Sequence, residues 1–252
     1  MKTIQKLTLG LLTVVATSSA FASGTVTLDV ASGSATASGL VDATLAVKTG
    51  AGTLVLSNAA NAIDVLEIQQ GQVDIAATGN FGGTAKFSTN AANKLNMVAA
   101  AVAVPSIEMA IAGILDCNGN ATSLAAAPTG TALLSIDGAG VLTIAADMTA
   151  SSTPMNINTN ANVAVGASGT SILPTAAVGV DGILNIKGAT ASCVPGNTTV
   201  ASAGILKVDG GLTVPASGAG DLFGTLLFQS GAVLKLGDLA TWARAISVGS
   251  AL

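Results

Sequence analysis

One phrase recurs along this chain: a small or turn-forming residue, followed by two or three alternating aliphatic residues, as in Gly52-Thr-Leu-Val-Leu56. Because successive side chains of a β-strand point to opposite faces, this alternation predicts short strands with one buried face. Nine such phrases follow one another, beginning at Gly52, Gly71, Asn93, Gly113, Gly140, Ala161, Gly182, Gly204 and Gly224.

The start-to-start spacings of these phrases along the chain are 19, 22, 20, 27, 21, 21, 22 and 20. A period in this range indicates a stacked repeat architecture, in which no single turn can bury its apolar face alone. Other β-prone stretches such as Ile63-Asp-Val65 fill each period, and pairs such as Asp137-Gly138 suit tight corners. We therefore predict an all-β fold, a parallel β-helix (β-solenoid) with rungs of about 20–22 residues.

Two segments break the pattern. The spacing of 27 predicts an inserted, protruding loop at residues 118–130, which is rich in Asn, Gly, Ser and Thr. The apolar run from Met97 to Cys117 predicts an irregular rung or a short packed helix. Pro105 and Glu108 in its middle argue against a membrane span, because a central acid is costly in lipid.

The N-terminus has the pattern of a secretory signal peptide. Lys2 and Lys6 precede an apolar run, and Ala20-Phe21-Ala22 is a small-x-small cleavage site, so we predict removal of residues 1–22. The solenoid is then expected over residues 23–236. Residues 237–252 are expected to form a C-terminal cap or the start of a linker, as a helix over 238–246 or as one more irregular rung.

Composition narrows the class of protein. Half of the residues are hydrophobic but only 2% are aromatic and 9% charged, which fits thin layers of small side chains better than a globular enzyme core. Without Lys2 and Lys6, 7 basic residues face 13 acidic ones, a net charge of −6. The basic cluster that nucleic-acid binding requires is missing, so no nucleic-acid partner is expected.

Part of the chain resembles a known repeat. Residues 48–61, Lys-Thr-Gly-Ala-Gly-Thr-Leu-Val-Leu-Ser-Asn-Ala-Ala-Asn, followed by Gln70-Gly-Gln-Val-Asp-Ile75, are similar to the autotransporter-associated β-strand repeat. The resemblance implies a surface-exposed passenger β-helix of a Gram-negative bacterium, of the surface-antigen or adhesin kind. The C-terminal β-barrel of that family is expected to be missing here, so a separate outer-membrane translocator is a possible partner.

The sequence offers little chemistry. It contains no His, which removes the usual general base and the commonest metal ligand. Acid pairs for glycoside hydrolysis are conceivable at Asp64/Glu67 or Asp42/Asp74. We nevertheless predict a non-enzyme without catalytic, cofactor-binding or metal-binding residues. The stack would hold Cys117 and Cys193 about 15 to 18 Å apart, which argues against a disulfide, but both lie beside loop-like segments and the bridge therefore stays open.

The function expected from the sequence is that of a secreted or surface-displayed structural or adhesive solenoid. Binding would use exposed rows of side chains and the 118–130 loop, and the extracellular macromolecule bound is unknown. Two alternatives stay open. The first is a self-assembling surface-layer or fibre subunit that associates through its ends, and the second is a carbohydrate-active enzyme on a β-helix. If export stops short of the surface, the protein would be periplasmic.

Overall fold

The computed structural model of the chain is a parallel β-solenoid, and every element in its described part is a β-strand. It describes backbone and side chains for residues 24–77, 82–146, 148, 151–165, 176–185 and 198–207. For residues 186 and 208, and for strand residues 5–9, 15–16, 213–214, 226–228, 233–236, 241–242 and 247–248, it describes the backbone alone. Each described strand pairs in parallel with strands of the neighbouring turns.

In the described part of the chain, three long sheets make up the sides of the solenoid. Sheet A has seven strands: β1 (Gln5–Leu9), β3 (Thr25–Val30), β5 (Asp42–Thr49), β7 (Ala62–Ile68), β9 (Gly82–Phe87), β12 (Ser106–Met109) and β15 (Thr129–Gly130).

Sheet B has twelve strands and runs along the whole stack: β2 (Val15–Ala16), β4 (Ser34–Ala37), β6 (Thr53–Leu56), β8 (Gln72–Ile75), β10 (Asn93–Met97), β13 (Gly113–Asp116), β16 (Leu134–Asp137), β18 (Met155–Ile157), β20 (Val178–Val180), β22 (Thr198–Val200), β25 (Leu226–Phe228) and β28 (Ser247–Val248).

Sheet C has seven strands: β11 (Val102–Val104), β14 (Thr122–Leu124), β17 (Val141–Ile144), β19 (Asn162–Val165), β21 (Ile183–Ile186), β23 (Ile205–Val208) and β26 (Val233–Leu236). A two-stranded sheet D pairs β24 (Thr213–Val214) with β27 (Thr241–Trp242). Early turns therefore use sheets A and B, later turns use B and C, and the turns around residues 102–137 use all three.

The register confirms the predicted rung length. Strands of consecutive turns pair at Thr53↔Gln72, Leu134↔Met155 and Ile183↔Ile205, so that partners lie about 20 residues apart in the chain. The offset is larger at Thr198↔Leu226, between β22 and β25. The same larger offset of 28 residues separates Ile205↔Val233 in sheet C and Thr213↔Thr241 in sheet D, whereas the other described pairs are offset by 19–23 residues.

The core is a set of inward columns, one for each sheet. Along sheet B the register stacks buried aliphatic residues, Ala35, Leu54, Val73, Leu95, Leu115, Ile136, Ile157, Val180 and Val200. Sheet C adds Leu142, Val163, Leu184 and Leu206, and sheet A alternates small and large residues such as Ala46, Leu66, Ala85 and Ile107. Each turn covers the apolar face of the previous one, which is why the stack is stable only as an array.

The nine phrases do not all lie in the same sheet, although their common spacing suits one continuous column. The four phrases from Gly52 to Cys117 lie in sheet B, the four from Gly140 to Val208 lie in sheet C, and the ninth, which contains β25, lies in sheet B again. The spacing of 27 marks the change from sheet B to sheet C. The predicted insertion at 118–130 is therefore wrong, because that segment contains β14 and β15 and pairs with the preceding turn in the ordinary step of the stack, at Val102↔Thr122 and Glu108↔Thr129.

Met97 to Cys117 is also more regular than expected. The segment supplies β11, β12 and β13, one strand to each long sheet, in place of an irregular rung or a helix. No helix in the described part of the chain has the length and apolarity needed to cross a bilayer.

The two ends contain strands as well. β1 and β2 fall within the predicted signal peptide, and they pair with β3 and β4. β27 and β28 fall within residues 237–252, as the further-rung alternative expects, and they pair with β24 and β25. The boundaries at residues 22 and 236 stay predictions.

Candidate functional site

A column of Asp and Asn side chains runs along the outer face of sheet B. Asp74, Asn96, Asp116 and Asp137 are register partners on β8, β10, β13 and β16. The column continues with Asn158 and Asp181, which directly follow the paired residues Ile157 and Val180. We call these six residues the Asx column. With strands about 4.8 Å apart, it extends over about 24 Å.

Local hydrogen bonds fix the N-terminal half of the column. Gln72 Nε2 donates to Asp74 Oδ1 at 2.5 Å, and Asn96 Nδ2 donates to the same oxygen at 3.0 Å. Lys94 Nζ lies 2.5 Å from Asp116 Oδ2, while the backbone N–H of Asn118 donates to Asp116 Oδ1 at 2.7 Å. These side chains are thereby held in place on a rigid sheet.

The column is acidic as a whole. Four of its members are Asp, and Lys94 is the cation that pairs with one of them. Asp116 and Asp137 are direct neighbours across β13 and β16, so two carboxylates stand one strand spacing apart. Further along, Asn156 Nδ2 donates to Asn158 Oδ1 at 2.7 Å. This face is therefore suited to a partner with cationic or hydrogen-bond-donating groups.

Sheet A carries a different outer column, in which charges alternate. Glu67, Lys86 and Glu108 are register partners, and Lys86 Nζ lies 2.8 Å from Glu108 Oε1. The hydrogen bond and charge of Glu108 raise the pKa of Lys86 above its usual value. Because its charges are largely compensated, this face offers less attraction to a charged partner.

The acid pairs considered for catalysis are not assembled into a cleft. Asp42 lies on sheet A and Asp74 on sheet B, so the two carboxylates belong to different sides of the solenoid. Asp64 and Glu67 share β7, but Glu67 is engaged by Ser88 Oγ at 2.6 Å and Gln69 Nε2 at 3.2 Å. Within the described residues, no group of three His, Cys, Asp or Glu side chains is placed to hold a metal ion.

Cys117 is a buried free thiol in the core. Burial raises its pKa to about 11, the nearby Thr122 side chain partly offsets the increase, and the charge of Asp116 adds to it. Since the thiolate is the reactive form, Cys117 is chemically quiet at neutral pH. Cys193, the other residue of the open disulfide question, lies outside the described residues.

The Asx column was not predicted from the sequence. Each member directly follows an inward aliphatic residue, a pattern that indicates an outward position but not which residues become neighbours. The signal was present at the fourth position of three phrases, occupied by Asp74, Asn96 and Asp116. Asp137, Asn158 and Asp181 lie outside the phrases, and only the register adds them.

No protein-family model, no curated protein and no solved structure matches this chain.

Proposed function

We propose that the protein is exported and works outside the inner membrane as a structural or adhesive solenoid, binding an extracellular macromolecule through the Asx column. The observation that carries the proposal is the column itself: four carboxylates and two amides aligned on one rigid face, with Lys94 as a compensating cation at one of them. Electrostatic complementarity of this kind promotes encounter and selects the partner.

Export rests on the signal-peptide pattern of residues 1–22. The solenoid architecture is compatible with a passenger displayed at the surface of a Gram-negative cell, as the resemblance of residues 48–75 implies. Display by a separate translocator is consistent with this proposal. The test is protease treatment of intact host cells, followed by fractionation. Degradation of the protein by external protease supports display, whereas protection in the periplasmic fraction contradicts it.

Binding through the Asx column is tested with a charge reversal. Asp137→Lys introduces a cation in the middle of the column, and Asp64→Lys makes the same change of net charge at an exposed position on sheet A. We expect cells or beads that carry the Asp137→Lys protein to adhere about fivefold less, or weaker still, to the surface that the unmodified protein binds. One unfavourable contact of about 1 kcal/mol has that effect.

Asp64→Lys should retain adhesion close to that of the unmodified chain. Equal losses in both variants would mean that adhesion follows net charge alone, and would contradict a role for the column. Adhesion should also weaken with added salt, because exposed charges separated by more than a Debye length are screened.

A further inference from the structure

Residues of the predicted leader form the first turn of the stack in the uncleaved chain. β1 pairs in parallel with β3 over five residues, from Gln5↔Val26 to Leu9↔Val30. β2 pairs in the same way with β4, at Val15↔Thr36 and Ala16↔Ala37. Both pairings have the same offset along the chain as later strands such as β16 and β18. β1 and β2 therefore lie at the end of the solenoid in the register of an ordinary turn.

Cleavage at the predicted site removes this turn with a single cut. The site follows Ala22, between the end of β2 at Ala16 and the start of β3 at Thr25. After cleavage, β3 and β4 become the edge strands of sheets A and B.

Backbone groups of β3 lose their partners in that event. Leu45 N donates to Gly24 O at 3.1 Å, so in this parallel ladder residues 24, 26 and 28 direct their backbone groups towards β5. The N–H groups of Thr27 and Asp29 consequently face β1 and are left open. The inward side chains of Val26, Leu28 and Val30, which are buried here, lose the turn above them.

This new edge has few of the features that normally prevent strand pairing. Natural edge strands are protected by Lys, by Pro, by bulges or by inward charges. Residues 24–37 contain no Pro, Lys or Arg, and Asp29 is their one charged residue. An edge of this kind pairs readily with another strand.

We propose that the edge formed by β3 and β4 in the cleaved protein binds a second copy of this chain, and that β1 and β2 cap the edge until the leader is removed. A second copy is the fitting occupant because the site already accepts a turn of this same solenoid, in the standard register and with the same two sheets. The inference rests on the leader removal contained in the proposed function.

The test uses purified full-length protein in which residues 17–22 are replaced by the recognition sequence of a site-specific protease. Before cleavage, sedimentation velocity should give a monomer. After cleavage and removal of the leader fragment, checked by mass spectrometry, the apparent mass should at least double. A limiting dimer indicates edge-to-edge pairing about a two-fold axis and continued growth indicates head-to-tail stacking, and both support the proposal.

Two variants of Thr27 separate edge pairing from general stickiness. Thr27→Pro removes the open N–H without touching the β3–β5 hydrogen bonds, and should keep the cleaved chain monomeric with an unchanged far-UV spectrum. Thr27→Val retains the N–H and should associate like the parent. A synthetic peptide of residues 5–16 should restore the monomer.

Persistence of the monomer after the leader fragment has been removed would overturn the proposal, as would undiminished association of a folded Thr27→Pro variant. Because the experiment uses purified protein, a negative result leaves export and partner binding through the Asx column untouched. A periplasmic location in the host, conversely, would not alter the association measured here.

Discussion

Lys48 is the residue least expected in the core. It occupies an inward position between Leu28 and Ile68 in the sheet A register, and it is fully buried. Its Nζ donates to the carbonyl oxygens of Thr49 and Gly50 at 2.7 Å and to that of Gln70 at 3.0 Å. An ammonium group bound by three carbonyls can stay in such a place, because its donors are satisfied although its hydration is lost.

Burial lowers the pKa of Lys48 from 10.5 to about 8, against the opposing charge of Asp29. Between these two values the unfolded chain holds one proton more than the folded chain, so the free energy of unfolding should rise with pH. The rise is about 1.4 kcal/mol per pH unit across the window. Cys117 acts in the opposite direction between pH 9 and about 11, because its pKa is higher in the folded chain.

The measurement is urea unfolding of the Cys117→Ala variant at pH 7, 8, 9 and 10. The substitution removes the thiol, whose titration would otherwise lower the free energy of unfolding as the pH rises. We expect constant stability below pH 8 and an increase of roughly 2 kcal/mol by pH 10. The double variant Lys48→Met/Cys117→Ala should lose this pH dependence. A slope that persists without Lys48 would show that another group is responsible.

At the scale of the element, corners are tied to the preceding turn by polar side chains. Asn93 Nδ2 donates to Ile68 O at 2.8 Å and to Ser88 O at 3.1 Å, and Asn120 Nδ2 donates to Met97 O at 2.8 Å. Thr153 Oγ1 likewise donates to Gly130 O at 2.8 Å. Such bonds add side-chain donors at carbonyls near the corners, two of which, Ile68 O and Ser88 O, also accept backbone N–H groups.

Two neighbouring asparagines allow the contribution of these corner hydrogen bonds to the free energy of unfolding to be measured. Asn93 is buried, whereas Asn90 is exposed and donates to Gln69 O at 3.0 Å. We expect Asn93→Ala to lower the free energy of unfolding by about 2 kcal/mol, because it removes two buried hydrogen bonds, although Ile68 O and Ser88 O each keep a backbone N–H donor. Asn90→Ala should cost roughly 0.5 kcal/mol, since water replaces its side chain. Chemical denaturation measures both, and equal costs would mean that burial does not govern the corner bonds.

The strands illustrate what the sequence could predict. The alternation within each phrase correctly identified inward residues such as Leu54, Leu142 and Leu184, because a strand with one buried face leaves a period of two. The period could not assign strands to sheets, since the strands of sheets B and C show the same alternation. Gly140-Val-Leu-Thr-Ile144 therefore looked like the successor of Gly113-Ile-Leu-Asp-Cys117, although its strand lies one sheet away.

The Asx column shows the same limit at the candidate site. Asp116 and Asp137 become neighbours because β13 and β16 pair in the register that sets Leu115 beside Ile136. The sequence contains both residues, but a change of one residue in register would turn one of them towards the core. Which side chains are neighbours on the surface thus depends on the strand register. The repeat length cannot fix that register, because it varies by about two residues from turn to turn.

At the scale of the whole molecule, sheet B is the continuous element, and sheets A and C replace each other along it. Each turn contacts mainly its two neighbours, as the pairing of every strand with its counterparts in adjacent turns shows. Stability in such an array is approximately a sum of turn and interface contributions. The architecture should consequently accept the loss of a complete turn far better than the loss of half of one.

Deletion of residues 134–154 tests this property. It removes β16 and β17 together and joins Leu133 to Met155, so that β18 and β19 take the vacated places in register. Inward Ile136 is replaced by Ile157 and Leu142 by Val163, so apolar residues again meet apolar residues. The shortened protein should retain its far-UV spectrum and a cooperative melt, at a somewhat lower temperature.

Deletion of residues 134–143 is the matched control. It removes β16 and most of β17 but leaves Ile144 and the following corner without the strand that leads into them. The strands that follow the deletion can then pair with the preceding turn only if strands of different sheets are matched. We therefore expect loss of the cooperative melt, although this deletion removes fewer residues than the deletion of 134–154. If the longer deletion were the more damaging one, the stack would not behave as an array of exchangeable turns, and features particular to residues 134–154 would have to hold the two halves of the solenoid together.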